Sequence, residues 1–212
     1  MDTFLLTNLT KAISLKKNMV DSLMHTCNSY YEKPAHTLQE LKIRNQKVKG
    51  DIFEQFCKLY MKTCYGLKDV WLLNEIPNDK RELLNLHKRD YGIDLVGIDN
   101  DNNFYAIQAK FRKRTCRTTR VTWKQLSTFY ALCERTGPFK KFVVFTTADY
   151  ANRMGKKSDK DVTIGYKKLQ KITHFEWLEM IKPLPLEQNK TLPIEELRKK
   201  RFAFFHNNNV SD

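Results

Sequence analysis

A chain of 212 residues with 41% hydrophobic and 29% charged side chains has an ordinary globular balance, with room for one core domain plus additions or for two small domains. Its formal net charge of +14 at pH 7 points to a polyanionic partner. No long apolar run exists to enter a membrane, and five cysteines without paired spacing exclude a disulfide scaffold and predict reduced thiols.

Leu5, Leu9 and Ile13, then Val20, Leu23 and Met24, recur at helical spacing and predict helix over residues 2–31, ahead of Pro34. Phe4-Leu5-Leu6 is too short for a secretory signal, so an intracellular location, cytoplasmic or nuclear, is expected. Helix resumes near residue 37 and runs to Cys64, with Gly50 as the point where it would break. Phe53, Phe56, Cys57, Tyr60 and Met61 form its apolar stripe, and Gly66 ends it. Cys57, Cys64 and His87 lack the short ligand pairs of a zinc site, and buried structural thiols are the better reading.

Val70-Trp71-Leu72-Leu73 reads as a first core strand ended by Pro77, followed over residues 78–90 by a polar loop with room for one helical turn. Residues 93–98 and 104–111 read as two strands joined by the turn chemistry of Asp99-Asn100-Asp101-Asn102-Asn103. Thr122-Trp123-Lys124-Gln125 has capping-box spacing and opens a helix to about Arg135. Phe142–Thr146 is a buried strand, Lys171-Ile172-Thr173 a further short one, and residues 174–181 a helix. Pro183 and Pro185 mark a linker, and residues 193–205 a last helix before a polar tail. From residue 49 the order is helix, three strands, helix, strand, which gives an α/β mixed sheet with helices on its faces.

A hairpin turn centred near Asp101 sets Asp94 opposite Gln108. By alternation Asp94, Val96 and Ile98 share one face, and Ala106, Gln108 and Lys110 share a face of the partner strand. Ile93, Leu95, Ile107 and Phe111 make the opposite face apolar. The ordinary alternative is a solvated sheet face. A hard divalent cation wants oxygen ligands, and Asp94, the Gln108 side-chain oxygen and the Ala109 carbonyl could supply three. A second carboxylate would help to hold it. Lys110, beside them, could stabilise charge on a phosphate or orient water.

Five pieces in order carry a resemblance: Lys49-Gly50-Asp51-Ile52-Phe53-Glu54; Val70-Trp71; Asp90-Tyr91-Gly92-Ile93-Asp94-Leu95-Val96; Ala106-Ile107-Gln108-Ala109-Lys110-Phe111; and Phe145-Thr146-Thr147-Ala148-Asp149. Together they resemble the PD-(D/E)xK nuclease superfamily and, within it, the Mrr-like restriction endonuclease domain, in the versions attached to restriction-type helicases. The resemblance implies a restriction-endonuclease-like mixed central sheet flanked by helices. It divides the chain into an N-terminal helical extension (1–45), a nuclease core (46–182) and a C-terminal helix with a flexible tail (183–212). It implies a Mg²⁺-dependent DNA endonuclease in which Mn²⁺ can substitute. Asp94 then matches the metal-binding aspartate, Gln108 the glutamine that stands for the acid, Lys110 the catalytic lysine and Glu54 the helix glutamate that supplies the second carboxylate. Asp90 matches an accessory acid ahead of the motif.

Arg112, Lys113, Arg114, Arg117, Arg120 and Lys124 follow the lysine strand, and their place beside the site favours DNA phosphate contacts over a merely solvated loop. Arg153, Lys156, Lys157 and Lys160 form a second basic loop, and Arg198–Arg201 a third patch. DNA is the expected partner and a membrane is not. No Gly-x-x-x-x-Gly-Lys-Ser/Thr run is present, so a helicase or ATPase would be a separate partner, and a homodimer stays open. The rival readings are a Holliday-junction-type resolvase on the same fold and a non-cutting DNA-binding protein.

Overall fold

Strands apolar on both faces need cover on both sides, and residues 95–98 and 104–109 are buried throughout. The computed structural model describes residues 7, 10, 18–29, 37–87, 92–114, 118–152 and 158–182. Most of the first expected helix, the linker after Pro183, the last helix and the patch at Arg198–Arg201 lie outside these residues, as do Arg153, Lys156 and Lys157 of the second basic loop.

Helix α1 spans Met19–Ser29 and α2 spans Leu38–Thr63. Then follow β1 (Asp69–Leu72), a short 3₁₀ turn, α3 (Asn78–Leu83), β2 (Leu95–Ile98) and β3 (Phe104–Lys110). The chain continues with β4 (Arg120–Val121), α4 (Trp123–Arg135), β5 (Lys141–Thr146), β6 (Tyr150–Ala151), β7 (Asp161–Ile164), α5 (Tyr166–Leu169) and α6 (His174–Ile181). By compactness it divides into residues Met1–Ile181 and Lys182–Asp212.

Five strands form one mixed sheet in the order β1-β2-β3-β5-β7, antiparallel through β3 and parallel from there on. This is the α/β mixed sheet flanked by helices expected from the sequence. On one side α1, α2 and α6 cover it, with Val20, Leu23, Phe53, Phe56, Cys57, Met61 and Trp177 packed on Leu95, Ile107, Val143 and Phe145. On the other, α4 supplies Leu126, Phe129 and Cys133 against Val96, Ala106, Phe142 and Val144.

One open reading is settled and two local outcomes differ from expectation. Helix α2 does not break at Gly50, where an added Cβ would come no nearer than 3.9 Å to the Glu54 carboxylate. The last sheet strand is Asp161–Ile164 rather than Lys171–Thr173. Thr173 instead caps α6: its hydroxyl accepts from the Glu176 amide at 3.2 Å, and the Glu176 carboxylate accepts from the Thr173 amide at 2.7 Å. The β-branched residues suggested a strand, but the Thr-x-x-Glu spacing prevails as a capping box. A two-stranded parallel pair, β4 with β6, was not foreseen.

Candidate active site

The site grows from a glycine. Gly92 sits at φ +121°, and a Cβ there would lie 3.2 Å from the Phe129 backbone nitrogen of α4. Only glycine combines that conformation with so close an approach. Beyond it Ile93 turns into the α4-side cluster rather than lying with Leu95 and Ile107, so the expected alternation starts one residue later than the sequence suggests. Asp94 follows at the mouth of the sheet. Its amide donates to the Ile107 carbonyl at 3.0 Å, and its carbonyl accepts from the Leu73 amide at 2.9 Å.

The β2–β3 register pairs Leu95 with Ile107 and Val96 with Ala106. One further step sets Asp94 opposite Gln108, as the turn chemistry predicts. Their side chains meet: Gln108 Nε2 donates to Asp94 Oδ2, and the Ala109 amide donates to the same oxygen at 2.7 Å. Both side chains are buried, Asp94 at 7% exposure and Gln108 at 2%. Because Gln108 turns its nitrogen to the aspartate, its oxygen is the atom directed away.

Glu54 is half-buried on α2, three residues before Cys57 and so on the same helix face. The Cys57 thiol is fully buried, and its pKa is pushed well above the ordinary value, first by burial and then by the carboxylates of Asp94 and Glu54. One thiol in α2 thus senses both acids, which brings the helix glutamate and the hairpin aspartate to a common neighbourhood. Lys110 stands two residues beyond Gln108 on β3 and leaves the same side of the strand half-buried. No acidic partner is bonded to its ammonium among the described residues.

Two residues that sequence reading treated only as a strand exit hold this strand end in place. Thr146 Oγ1 donates to the Lys110 carbonyl at 2.6 Å. Thr147 Oγ1 accepts from the Arg112 amide at 2.6 Å and donates to the Arg112 carbonyl at 2.9 Å. Both threonines are buried, at 0% and 1% exposure. Their signal in the sequence was a pair of hydroxyls closing an otherwise apolar run.

The basic residues divide. Lys113, Arg120 and Lys124 are exposed. Arg112 is half-buried, with Nη1 donating to the Phe111 carbonyl at 3.0 Å, and burial lowers its pKa. Arg114 is committed elsewhere: it pairs with Asp149 at 2.8 Å and lies 3.6 Å over the Tyr166 ring, whose hydroxyl donates to Asp21 of α1. Asp90 and Arg117 lie outside the described residues.

Two carboxylates, an amide oxygen and a backbone carbonyl are hard oxygen donors, a set that suits Mg²⁺ or Mn²⁺ and not a thiol-preferring metal. Among the described residues no three His, Cys, Asp or Glu side chains are grouped so as to hold a metal ion, so a cation here would draw its remaining ligands from amide or backbone oxygens and water.

A mixed sheet with an acid, an amide and a lysine at the mouth of its central hairpin defines a nuclease of the restriction-endonuclease-like class. Residues 59–183 match the restriction endonuclease family Mrr_cat_2, and the chain belongs to that family. Glu54 lies just ahead of the matched segment. The solved structure of the ATP-dependent Type ISP restriction-modification enzyme LlaBIII bound to DNA is 25% identical, with a TM-score of 0.41. The likeness covers 60% of this chain and 8% of that enzyme. No curated protein matches the chain. Among the described residues, no helix is long and apolar enough to cross a membrane.

Proposed function

We propose that the chain is a Mg²⁺-dependent DNA endonuclease, able to use Mn²⁺, that hydrolyses phosphodiester bonds at the mouth of the β2–β3 hairpin. The observation that carries this reading is the bonded pair Asp94–Gln108, with Lys110 two residues on and Glu54 acting on the same buried thiol as Asp94. Asp94 and Glu54 would hold the cation, with the Gln108 or Ala109 oxygen completing the protein's share. When bound, the cation supplies charge neutralisation at the scissile phosphate and lowers the pKa of a coordinated water.

The chain's own residues do the rest. Gln108 and the Ala109 amide fix one oxygen of Asp94 and so leave the carboxylate little rotational freedom. Lys110 brings a positive charge to the phosphoryl oxygens as negative charge develops in the transition state, and its half-buried setting strengthens that interaction relative to bulk water. Lys113, Arg120 and Lys124 hold backbone phosphates without reading sequence.

Supercoiled plasmid with Mg²⁺ tests the proposal. Nicking by the wild type, lost in Asp94→Ala and in Lys110→Ala while both stay folded, is the expected result. Undiminished nicking in both variants would refute the site. Tight DNA binding by the wild type with no nicking in Mg²⁺ or Mn²⁺ would replace the enzyme with a non-cutting DNA-binding protein.

A further inference from the structure

Arg81 on α3 is 8% exposed, and no carboxylate pairs with it among the described residues. Its guanidinium faces backbone carbonyls instead. Nη2 donates to the Leu73 carbonyl at 2.6 Å and to the Ile76 carbonyl at 3.4 Å, and Nη1 donates to the His87 carbonyl at 3.3 Å. The buried Nε has no acceptor. A buried cation without a counter-charge is costly, and a leucine or methionine would fill such a place at lower cost. Three convergent carbonyls therefore call for a reason other than packing.

The carbonyls lead to Asp94. Leu73, whose carbonyl takes the shortest of the three bonds, gives its own amide to the Asp94 carbonyl at 2.9 Å. One residue is thus gripped on its carbonyl by Arg81 and on its amide by Asp94. The Asp94 side chain already has one oxygen tied to Gln108 and Ala109, so the aim of the carboxylate depends on where its main chain stands.

We propose that Arg81 is a positioning residue for cation binding: through Leu73 it fixes the main chain of Asp94. The proposal rests on the reading of Asp94 as a metal ligand. Arg81 touches neither cation nor DNA. Its planar fork is what the arrangement uses, since a lysine keeps the charge but cannot serve the Leu73, Ile76 and His87 carbonyls from fixed donors.

Mn²⁺ titration by calorimetry, on the full chain without DNA, tests it in the wild type, Asp94→Ala, Arg81→Lys and Arg81→Met, each checked by circular dichroism. Residues that orient a metal ligand typically change affinity about 10- to 100-fold. Arg81→Lys is expected to keep the fold, to bind Mn²⁺ about 10-fold more weakly, and to lower kcat for plasmid nicking at fixed Mg²⁺. KM for DNA should stay unchanged, and excess cation should recover part of the rate. A purely structural role would lower Tm without that split. Folded Arg81→Lys with wild-type Mn²⁺ affinity and kcat would overturn the proposal while leaving the metal site standing, and a folded Arg81→Met would have to agree. Equal Mn²⁺ binding by the wild type and Asp94→Ala would overturn the metal reading itself, and this proposal with it.

Discussion

Arg114→Gln separates a phosphate contact from a strut. The sequence sets Arg114 in a basic run beside the site, yet its guanidinium pairs with Asp149 at 2.8 Å and covers the Tyr166 ring at 3.6 Å. The ion pair is partly shielded, with side-chain exposures of 27% and 14%. A charged hydrogen bond of this kind contributes about 1.5–3 kcal/mol, and a partly desolvated cation–π contact about 0.5–2 kcal/mol. Asp149 keeps the Thr119 amide and hydroxyl when Arg114 is lost, at 2.7 and 3.2 Å, so the loss stays near about 2–3 kcal/mol. For a domain of this size that is a fall in Tm of about 5–10 °C. Partial burial raises the Asp149 carboxyl, but the Thr119 amide and Arg114 outweigh it, so its pKa is lowered overall. The stabilisation is therefore present above the ordinary carboxylate value of about 3.9 and is lost as pH falls through the lower native one. Wild-type and variant stabilities should converge in strong acid. DNA binding measured by anisotropy without divalent cation gives the second readout. Each phosphate contact removed lowers the salt slope by about 0.9. Lys113→Gln should show that fall, whereas Arg114→Gln should not. A slope reduced by about 0.9 in Arg114→Gln with Tm unchanged would refute the reasoning.

Thr147→Val removes both bonds to Arg112 and strands its half-buried amide, so urea unfolding should report a loss of about 1–3 kcal/mol. Plasmid nicking should slow as the lysine strand loosens, and unchanged stability would count against the threonine clamp. Phe56→Ala empties a fully buried site among Phe53, Phe145 and Trp177 and should cost about 3–5 kcal/mol in the same assay. The Cys57 thiol, fully buried with a raised pKa, should resist maleimide at pH 8 in the native protein and react once unfolded. Rapid labelling of the folded chain at that cysteine, mapped by mass spectrometry, would contradict the packing of α2.

What was legible in the sequence was local. The β2–β3 register follows from Asp99, whose carboxylate accepts from the Asp101 and Asn103 amides at 3.0 and 2.9 Å, with Asn102 at φ +62°. That turn sets the pairing that brings Asp94 to Gln108. Helix α4 starts where its capping box predicts, with the Thr122 amide donating to Gln125 at 3.1 Å. What was not legible depends on distant partners. Strand β7 is a strand because Val143, Val144 and Phe145 of β5 lie beside it, and nothing in Asp161–Ile164 names that neighbour. Arg114 reads as one more cation until Asp149 and Tyr166, 35 and 52 residues further on, fold against it. Glu54 on its own is one acid on an amphipathic helix. Only the packing of α2 across the sheet gives Cys57 two carboxylates for neighbours.

The same packing accounts for a neutral side chain at position 108. Asp94 is 7% exposed, and Gln108, within bonding reach of it, is 2% exposed. A carboxylate at 108 would set two buried like charges in contact, and one of them would have to take up a proton. An amide in that place donates to Asp94 Oδ2 and adds no second charge, while its oxygen stays uncharged. In the proposed site the second negative charge would come instead from Glu54, which is half-buried and so retains part of its hydration. Two formal charges, one on the sheet and one on the helix, balance one divalent cation in the proposed reaction. On the proposed reading, Gln108 follows from how deeply this hairpin is buried, and Glu54 compensates for it.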